Sequence, residues 1–230
     1  MTSSFAVVVP VHNEAEFIPE ALPSLISAMD EVGAPYRIML IENGSTDGTA
    51  EIARRIGSGS ALEVVSLPEA DYGAAMRYGF LNAEGDWVVN FDIDYFSVGF
   101  LRSVLDQSTD VDLVIGSKRN PDSDDRRPPI RRIATIVFNF LLRAILASNV
   151  SDTHGMKGFR SDLVRDLTPS VTSNKDLFDT ELVIRAERDG YNIVEVPVTV
   201  EELRTAKSSL IKRVPRTVVG LFRIRRILRT

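Results

Sequence analysis

The sequence has 230 residues, of which 44% are hydrophobic and 26% are charged, and this fits one large α/β domain better than two small ones. It contains no cysteine, which excludes a disulfide framework and a thiolate metal site, so any metal must be held by oxygen or imidazole ligands. Residues 1–5 lack the basic stretch and the longer apolar region of a secretory signal, so we expect a cytoplasmic protein.

The formal net charge of −5 is distributed unevenly along the chain. Nine lysines and arginines follow Glu202 without a single acidic residue, so this end carries +9 and residues 1–202 sum to −14. A basic end favours an anionic ligand or surface, and a phospholipid headgroup suits it better than a nucleic acid. A solvated basic tail is the alternative.

Apolar residues alternate with these cations and predict a basic amphipathic helix over residues 211–230, after a catalytic domain over residues 1–210. Such a helix can rest on the cytoplasmic face of an anionic membrane as a peripheral contact. It can also pack on the protein or on an identical subunit, which leaves a homo-oligomer open.

Strands and helices are predicted to alternate through the first 94 residues. Short apolar runs rich in β-branched residues are typical of buried parallel strands, and apolar residues every three or four positions are typical of helices. This alternation predicts a doubly wound, mostly parallel sheet with its ligand at the carboxyl ends of the strands. The predicted strands are residues 5–11, 37–41, 62–67 and 87–91, and the predicted helices are residues 14–32, 46–56 and 71–82.

The pattern is looser beyond residue 94. The helix predicted over residues 131–147 carries Asn139 and Arg143 in its middle turns, and it is too short and too polar to span a bilayer, which takes about 20 apolar residues. Burial in the core and a flat position in the membrane interface both stay open for it. The other predicted elements are strands over residues 112–116 and 192–200, a helix over residues 179–189 and a mobile polar loop over residues 120–129.

Two carboxylates separated by one residue, Asp92 and Asp94, follow the fourth predicted strand. Positions i and i+2 of a strand share a face, so both side chains can address one cation, also where the strand frays. Mg²⁺ or Mn²⁺ held by one or two carboxylates, with phosphate oxygens and water completing the shell, is the usual arrangement for a nucleotide diphosphate. The pair therefore predicts a site for one of these two ions.

Acidic residues also follow the first two predicted strands: Glu14 after the first, and Glu42 and Asp47 after the second. They belong to the same edge of the sheet as the aspartate pair, where they can accept hydrogen bonds from a base or a ribose. The simpler alternatives are an ordinary turn for the second segment and a helix cap for Asp47.

Six motifs in this order resemble family 2 glycosyltransferases, and they are most similar to the dolichol-phosphate mannosyltransferase and polyprenyl-phosphate glycosyltransferase branch. The motifs are residues 7–14, 42–49, 92–94, 152–160, 178–182 and 195–198, and the likeness extends from about residue 5 to about residue 210. The resemblance implies a GT-A fold and a divalent cation. It also implies inverting transfer of a hexose from a GDP-mannose or UDP-glucose type of donor to a polyprenyl or dolichyl phosphate.

The resemblance also assigns roles to individual positions. Phe96 stands where the branch usually has a glutamine, so we expect one protein ligand fewer at the metal. Metal binding falls to Asp92 and Asp94, and nucleotide-sugar binding to Pro10, Asn13, Glu14, Glu42, Asp47, Asp92, Arg204 and Ser209. The acceptor phosphate falls to Arg119 and Arg131, and the catalytic residues are Asp94, Asp152 and Arg131.

The acceptor decides whether a protein base is needed. A phosphate monoester is already anionic near neutral pH, since its second pKa is about 6. A neutral hydroxyl needs a carboxylate, for which Asp152 is the first candidate, followed by Asp179 and Glu181. The competing functions are a soluble glycosyltransferase acting on a glycan or metabolite hydroxyl, a nucleotidyltransferase, and a protein that binds nucleotide sugars without catalysis.

Overall fold

The computed structural model describes residues 3–201 and 210–228, and its centre is a sheet of seven strands. The strands of this sheet are β1 (Phe5–Val11), β2 (Tyr36–Asn43), β3 (Leu62–Leu67), β4 (Trp87–Asn90), β5 (Leu113–Ser117), β7 (Lys157–Arg160) and β8 (Ile193–Pro197). Two short strands, β6 (Asp124–Asp125) and β9 (Thr199–Val200), form a separate pair. The α-helices are α1 (Ile18–Val32), α2 (Thr49–Ile56), α3 (Tyr72–Asn82), α4 (Val98–Leu105), α5 (Pro129–Leu146), α6 (Ser161–Leu167), α7 (Phe178–Arg188) and α8 (Leu210–Ile227).

The strand order in the large sheet is β3-β2-β1-β4-β7-β5-β8. All pairs are parallel except those of β7, which is antiparallel to both β4 and β5. The prediction of a mostly parallel sheet flanked by helices is therefore confirmed. Because β1, β2 and β4 run in the same direction, the loops that follow them meet at one edge of the sheet.

The central strands are apolar along their whole length because helices cover both faces of the sheet. All seven residues of β1 are buried. One face packs against α1, which buries Leu22, Leu25 and Met29 and ends at Gly33 in the left-handed conformation with a φ of 73°. The other face packs against Met76 and Phe80 of α3 and against α6 and α7. The two cores hold the sheet edge in place.

Four elements differ from the sequence-based expectations. No strand was predicted over residues 157–160, but they form β7 in the middle of the sheet. The helices α4 and α6 were not predicted at all. Within the polar segment 120–129, β6 pairs with β9 and Arg127 makes a double hydrogen bond with Asp125, so this segment is more regular than expected.

The helices α5 and α8 pack together in a third core. Leu142 of α5, Leu221 and Ile224 of α8 and Ile184 of α7 are fully buried there. The guanidinium of Arg188 donates to the carbonyl of Leu146 at 3.3 Å and to that of Leu228 at 2.9 Å, so one side chain satisfies the ends of both helices. Within the two described ranges, none of the helices has the length and apolar character that crossing a membrane requires.

Candidate active site

The aspartate pair lies in a tight turn at the end of β4. The strand ends at Asn90, and the backbone N–H of Tyr95 donates to the carbonyl of Asp92 at 2.9 Å, which closes the turn. Ile93 is buried in the core between the two aspartates and anchors the turn. Solvent reaches both carboxylates, so both lie at the surface of the cleft. The turn, rather than the regular alternation of a strand, sets their positions.

Negative charge accumulates around Asp92. Solvent reaches its carboxylate from the open side of the cleft, but protein surrounds it on the other sides. This desolvation, together with the charges of Asp94 and Asp179, raises the pKa of Asp92 to about 6, while Lys157 and Lys118 oppose the shift. A bound cation would relieve this repulsion.

Asn13 joins the loop after β1 to the loop after β2 through its backbone and its side chain. Its backbone N–H donates to the hydroxyl of Ser45 at 3.0 Å, and its side-chain oxygen accepts from the N–H of Thr46 at 2.9 Å. Asn13 has a positive φ of 53°, which asparagine adopts more readily than most residues. Pro10 is buried within β1, opposite Ile41 of β2. Asn13 therefore has a structural role, which is to hold the two loops together. A contact with a nucleotide would be a second role.

The acidic residues of these loops also make structural hydrogen bonds. Glu14 donates its backbone N–H to the hydroxyl of Thr49 at 2.9 Å, and the buried carboxylate of Glu42 accepts from the backbone N–H of Ser45. Asp47 accepts from the N–H groups of Ala15 at 3.0 Å and Thr49 at 3.1 Å. The hydroxyl of Thr49 also donates to Asp47, and this bond together with the two backbone bonds lowers the pKa of the carboxyl group despite its desolvation, which acts to raise it. All three residues lie at the predicted edge, and the carboxylates of Glu42 and Asp47 are engaged by the hydrogen bonds just described.

Asp152 forms a buried ion pair with Lys118. The lysine Nζ lies 2.9 Å from one carboxylate oxygen, the side chains are 8% and 4% exposed, and the N–H of His154 donates to the other oxygen at 2.9 Å. Lys118 also donates to the carbonyl of His154 and lies over the ring of Tyr95, 5.8 Å from its centroid. Both oxygens of the Asp152 carboxylate are therefore engaged by neighbouring groups.

A second buried ion pair joins β7 to α7. The Nζ of Lys157 lies 3.2 Å from the carboxylate of Asp179, 3.3 Å from the side-chain oxygen of Asn90 and 2.7 Å from the carbonyl of Gly155. The hydroxyl of Tyr72 donates to the same carboxylate at 2.8 Å. Sequence reasoning missed Lys157, and the available signal was a charged residue between the apolar Met156 and Phe159.

Glu181, the third candidate base, is fully buried and structural. It accepts from Arg185 at 2.7 Å and from the backbone N–H groups of Thr172 at 3.0 Å and Ser173 at 2.7 Å. These hydrogen bonds lower the pKa of Glu181, although desolvation acts to raise it. Glu181 therefore holds the segment before α7 in place, and it stays charged.

The predicted phosphate-binding arginines lie on either side of the polar segment. Arg119 is exposed just after β5, and Arg131 is half-buried in the first turn of α5. Sequence reasoning missed Arg127, which lies between them and interacts electrostatically with Asp152 and Tyr95. Arg204 and Ser209, the other predicted binding residues, lie outside the described residues.

The hydroxyl of Tyr95 is buried and has no hydrogen-bond partner among the residues that the structure describes. Burial and the charge of Asp152 raise its pKa well above the usual value, so the hydroxyl stays protonated. A buried donor without a partner is unfavourable unless a ligand or water completes it. This donor, next to Lys118, marks the cleft as a place where a polar ligand fits.

A divalent cation fits the aspartate pair only with help from a ligand. Among the described residues, no group of three or more acidic, histidine or cysteine side chains could hold a metal ion. Two carboxylates are nevertheless what Mg²⁺ or Mn²⁺ commonly takes from a protein when phosphate oxygens and water complete its shell. The residues present therefore fit a cation that is bound together with a diphosphate.

Comparison with known proteins bears on this arrangement. The glycosyltransferase AglD of Haloferax volcanii is 28% identical over 215 residues, 90% of this chain and 34% of that protein, so the chain spans about a third of its length. The dolichyl-phosphate hexose transferase of the same organism is 30% identical over 199 residues, 86% of this chain and 82% of that protein.

Solved structures share the fold. The glucosyl-3-phosphoglycerate synthase of Mycobacterium tuberculosis, in complex with Mn²⁺, UDP and phosphoglyceric acid, superposes with a TM-score of 0.69 at 23% identity, covering 97% of this chain and 78% of that one. This likeness confirms the expected GT-A fold. The family model described as Glycosyl transferase family 2 matches residues 6–168. That match covers most of the chain, and the chain accordingly belongs to glycosyl transferase family 2.

Proposed function

We propose that this protein transfers a hexose, with inversion, from a GDP-mannose or UDP-glucose type of donor to a polyprenyl or dolichyl phosphate. The observation that carries the lipid acceptor is the apolar outer face of α5 and α8, described below. The relative named dolichyl-phosphate hexose transferase, at 30% identity, supports the same acceptor.

The donor binds at the carboxyl ends of β1, β2 and β4 in this proposal. Asn13, Glu14, Glu42 and Asp47 line the base and ribose side, while Asp92 and Asp94 hold Mg²⁺ or Mn²⁺ against the diphosphate. The cation, when bound, neutralises charge on the leaving nucleoside diphosphate. The hydroxyl of Tyr95, which lacks a protein partner among the described residues, donates to the bound substrate.

The acceptor is a phosphate because the candidate bases are engaged. Asp152 is paired with Lys118, Asp179 with Lys157, and Glu181 with Arg185. A hydroxyl acceptor would require one of these carboxylates to give up its partner, whereas a phosphate monoester attacks without deprotonation. Arginine guanidinium groups orient phosphate by forked hydrogen bonds, and Arg119, Arg127 and Arg131 are the candidates here.

The outer face of α5 and α8 supports a membrane-bound acceptor. Of the ten large hydrophobic side chains exposed in the described ranges, eight lie on these two helices. Arginines flank this face and are attracted to anionic headgroups. We therefore propose peripheral contact with the cytoplasmic face of a membrane. The exposed apolar residues are Ile130, Ile133, Ile136, Val137 and Phe140 of α5, and Val214, Val219 and Phe222 of α8.

A transfer assay with radiolabelled GDP-mannose and UDP-glucose tests the proposal. We expect label to move from the aqueous phase into the organic phase when polyprenyl phosphate and Mn²⁺ are both present, and EDTA should prevent this transfer. The Asp94→Asn variant is the matched control because it keeps the side chain's size and removes its charge. Label that stays in a water-soluble product, with phosphoglycerate or a sugar as acceptor, would replace the lipid acceptor with a soluble one.

A further inference from the structure

The last of the six motifs, residues 195–198, begins with an acidic residue that is bound to another part of the site. Glu195 lies in β8, opposite Ile115 of β5. The backbone N–H of Ser151 donates to one oxygen of the Glu195 carboxylate at 2.6 Å, and the hydroxyl of Ser151 donates to the other. Ser151 directly precedes the motif of residues 152–160. Since both carboxylate oxygens are engaged by one residue, Glu195 holds Ser151 in place.

Ser151 is held by each of its polar groups. Its carbonyl accepts from the side-chain amide of Asn139, which is buried in the middle of α5. Its hydroxyl oxygen lies 2.5 Å from that of Ser117, which is buried at the end of β5. Together with Glu195 of β8, these contacts attach Ser151 to three separate elements. We call Glu195, Ser151 and Ser117 the Glu195 network.

The carboxylate sets the direction of the hydrogen bonds in the Glu195 network. A carboxylate accepts hydrogen bonds and donates none, so the hydroxyl hydrogen of Ser151 points to Glu195. The Ser117 hydroxyl therefore donates to Ser151, and its own oxygen accepts from the backbone N–H of Arg119 at 3.2 Å. One carboxylate thus orients two hydroxyl groups and the backbone N–H groups at both ends of the network.

Both members of the Lys118–Asp152 ion pair adjoin the Glu195 network. Ser117 is the residue before Lys118. Ser151 is the residue before Asp152. The lysine Nζ lies 2.9 Å from the carboxylate, and both side chains are buried. A shift of either serine would therefore move one member of the pair away from the other.

We propose that Glu195 is a positioning residue for the transfer reaction and acts through the two serines of the network. It holds the Lys118–Asp152 pair and the neighbouring Arg119 in place for the acceptor. The inference rests on the proposed function in one respect, which is that a phosphate acceptor binds on this side of the cleft. A misplacement of about 1 Å can cost about a hundredfold in rate, so a residue that does not touch the substrate can still control turnover.

The variant Glu195→Gln tests the proposal because it keeps the shape of the side chain but replaces one acceptor with a donor. If the amide oxygen keeps the N–H of Ser151, the amide nitrogen faces the Ser151 hydroxyl and reverses the direction of the bonds. Ser117 then loses its acceptor. We expect the KM for polyprenyl phosphate to rise about tenfold or more, whereas the dissociation constant of UDP or GDP with Mn²⁺, measured by titration calorimetry, should stay within about twofold of wild type.

A rise in KM separates positioning from a loss of folded protein. Unfolding of part of the sample lowers the measured kcat and the calorimetric stoichiometry but leaves KM unchanged. The matched control is Asp112→Asn, which makes the same charge change on the same pair of strands. The Asp112 carboxylate accepts from the backbone N–H of Asn192 at 2.8 Å, just before β5 and β8 begin. We expect this variant to keep the KM of wild type.

An unchanged KM in Glu195→Gln, or an equal rise in Asp112→Asn, would overturn the proposal. If wild type transfers no sugar to polyprenyl phosphate, the proposed acceptor is wrong, and amide hydrogen exchange then decides the positioning role without turnover. Faster exchange at Ser151 and Arg119 in Glu195→Gln, with the exchange of Val89 in the central sheet unchanged, would support a local positioning role. Unchanged exchange at both amides, or equal acceleration at Val89, would overturn it.

Discussion

Lys157 offers the sharpest test of how charge is arranged beneath the aspartate pair. Its side chain is 1% exposed and that of Asp179 is 7% exposed, so solvent screens their interaction weakly. Lys157→Met keeps most of the length of the side chain but leaves the Asp179 carboxylate without its cation. Removing one partner of a buried ion pair costs about 3–5 kcal/mol. This is a large part of the stability of a typical domain, which is about 5–15 kcal/mol.

Urea unfolding followed by the fluorescence of Trp87, the single tryptophan, measures this loss. Trp87 is buried in β4 and stacks with Arg160 at 4.1 Å, so its emission reports directly on the central sheet. The double variant Lys157→Met/Asp179→Asn removes the uncompensated charge but keeps an acceptor for Tyr72. We expect it to recover most of the stability that the single variant loses. The buried-pair reasoning would be refuted if Lys157→Met lowered the free energy of unfolding by less than about 1 kcal/mol, or if the double variant recovered none of that free energy.

The remaining predictions concern the cleft, the pH response and the outer face. Asp94→Ala should abolish metal-dependent turnover with an unchanged circular dichroism spectrum; activity within about threefold of wild type would contradict its role. Tyr95→Phe removes a buried donor, so it should raise the unfolding midpoint slightly while weakening substrate binding measured by titration. Because the folded-state pKa of Glu181 is lowered, its stabilisation is present above the ordinary value of 4.5 and is lost as pH falls through the folded pKa. Glu181→Gln should therefore show a smaller loss of stability with acid in urea unfolding at several pH values. Phe140→Glu should reduce flotation with anionic vesicles, whereas Leu81→Glu, which alters a 48% exposed residue of α3, should leave it unchanged.

Parts of the fold that depend on local sequence could be predicted closely. The bounds of β1 and β3 agree with the predicted residues 5–11 and 62–67, because continuous apolar runs between polar segments mark buried strands. The first helix was predicted from residue 14, but α1 begins at Ile18. Asn13 has a positive φ of 53°, which is not helical, and the backbone N–H groups of residues 13–15 donate to Ser45, Thr49 and Asp47 in the loop after β2, so the regular helix begins later.

Parts that depend on distant partners could not be predicted. Strand β7 contains a lysine and a glycine and lacks a clear apolar alternation, yet it is central because Phe159 packs against Phe80 and Lys157 finds Asp179. Nothing in the local pattern indicates a partner 22 residues away for Lys157 or 34 residues away for Lys118. The edge that carries Asp92 and Asp94 followed from strand order, whereas the cations around it follow from tertiary packing.

The contact of Arg188 with two helix ends has a consequence for anyone who shortens this chain. Removing α8 would take away the carbonyl of Leu228, which accepts from Arg188. It would also expose the side chains of Leu142 and Ile184, and this exposed hydrophobic patch would favour aggregation. The basic carboxyl-terminal segment is thus a part of the folding unit, and versions made for crystallisation or binding studies should retain it.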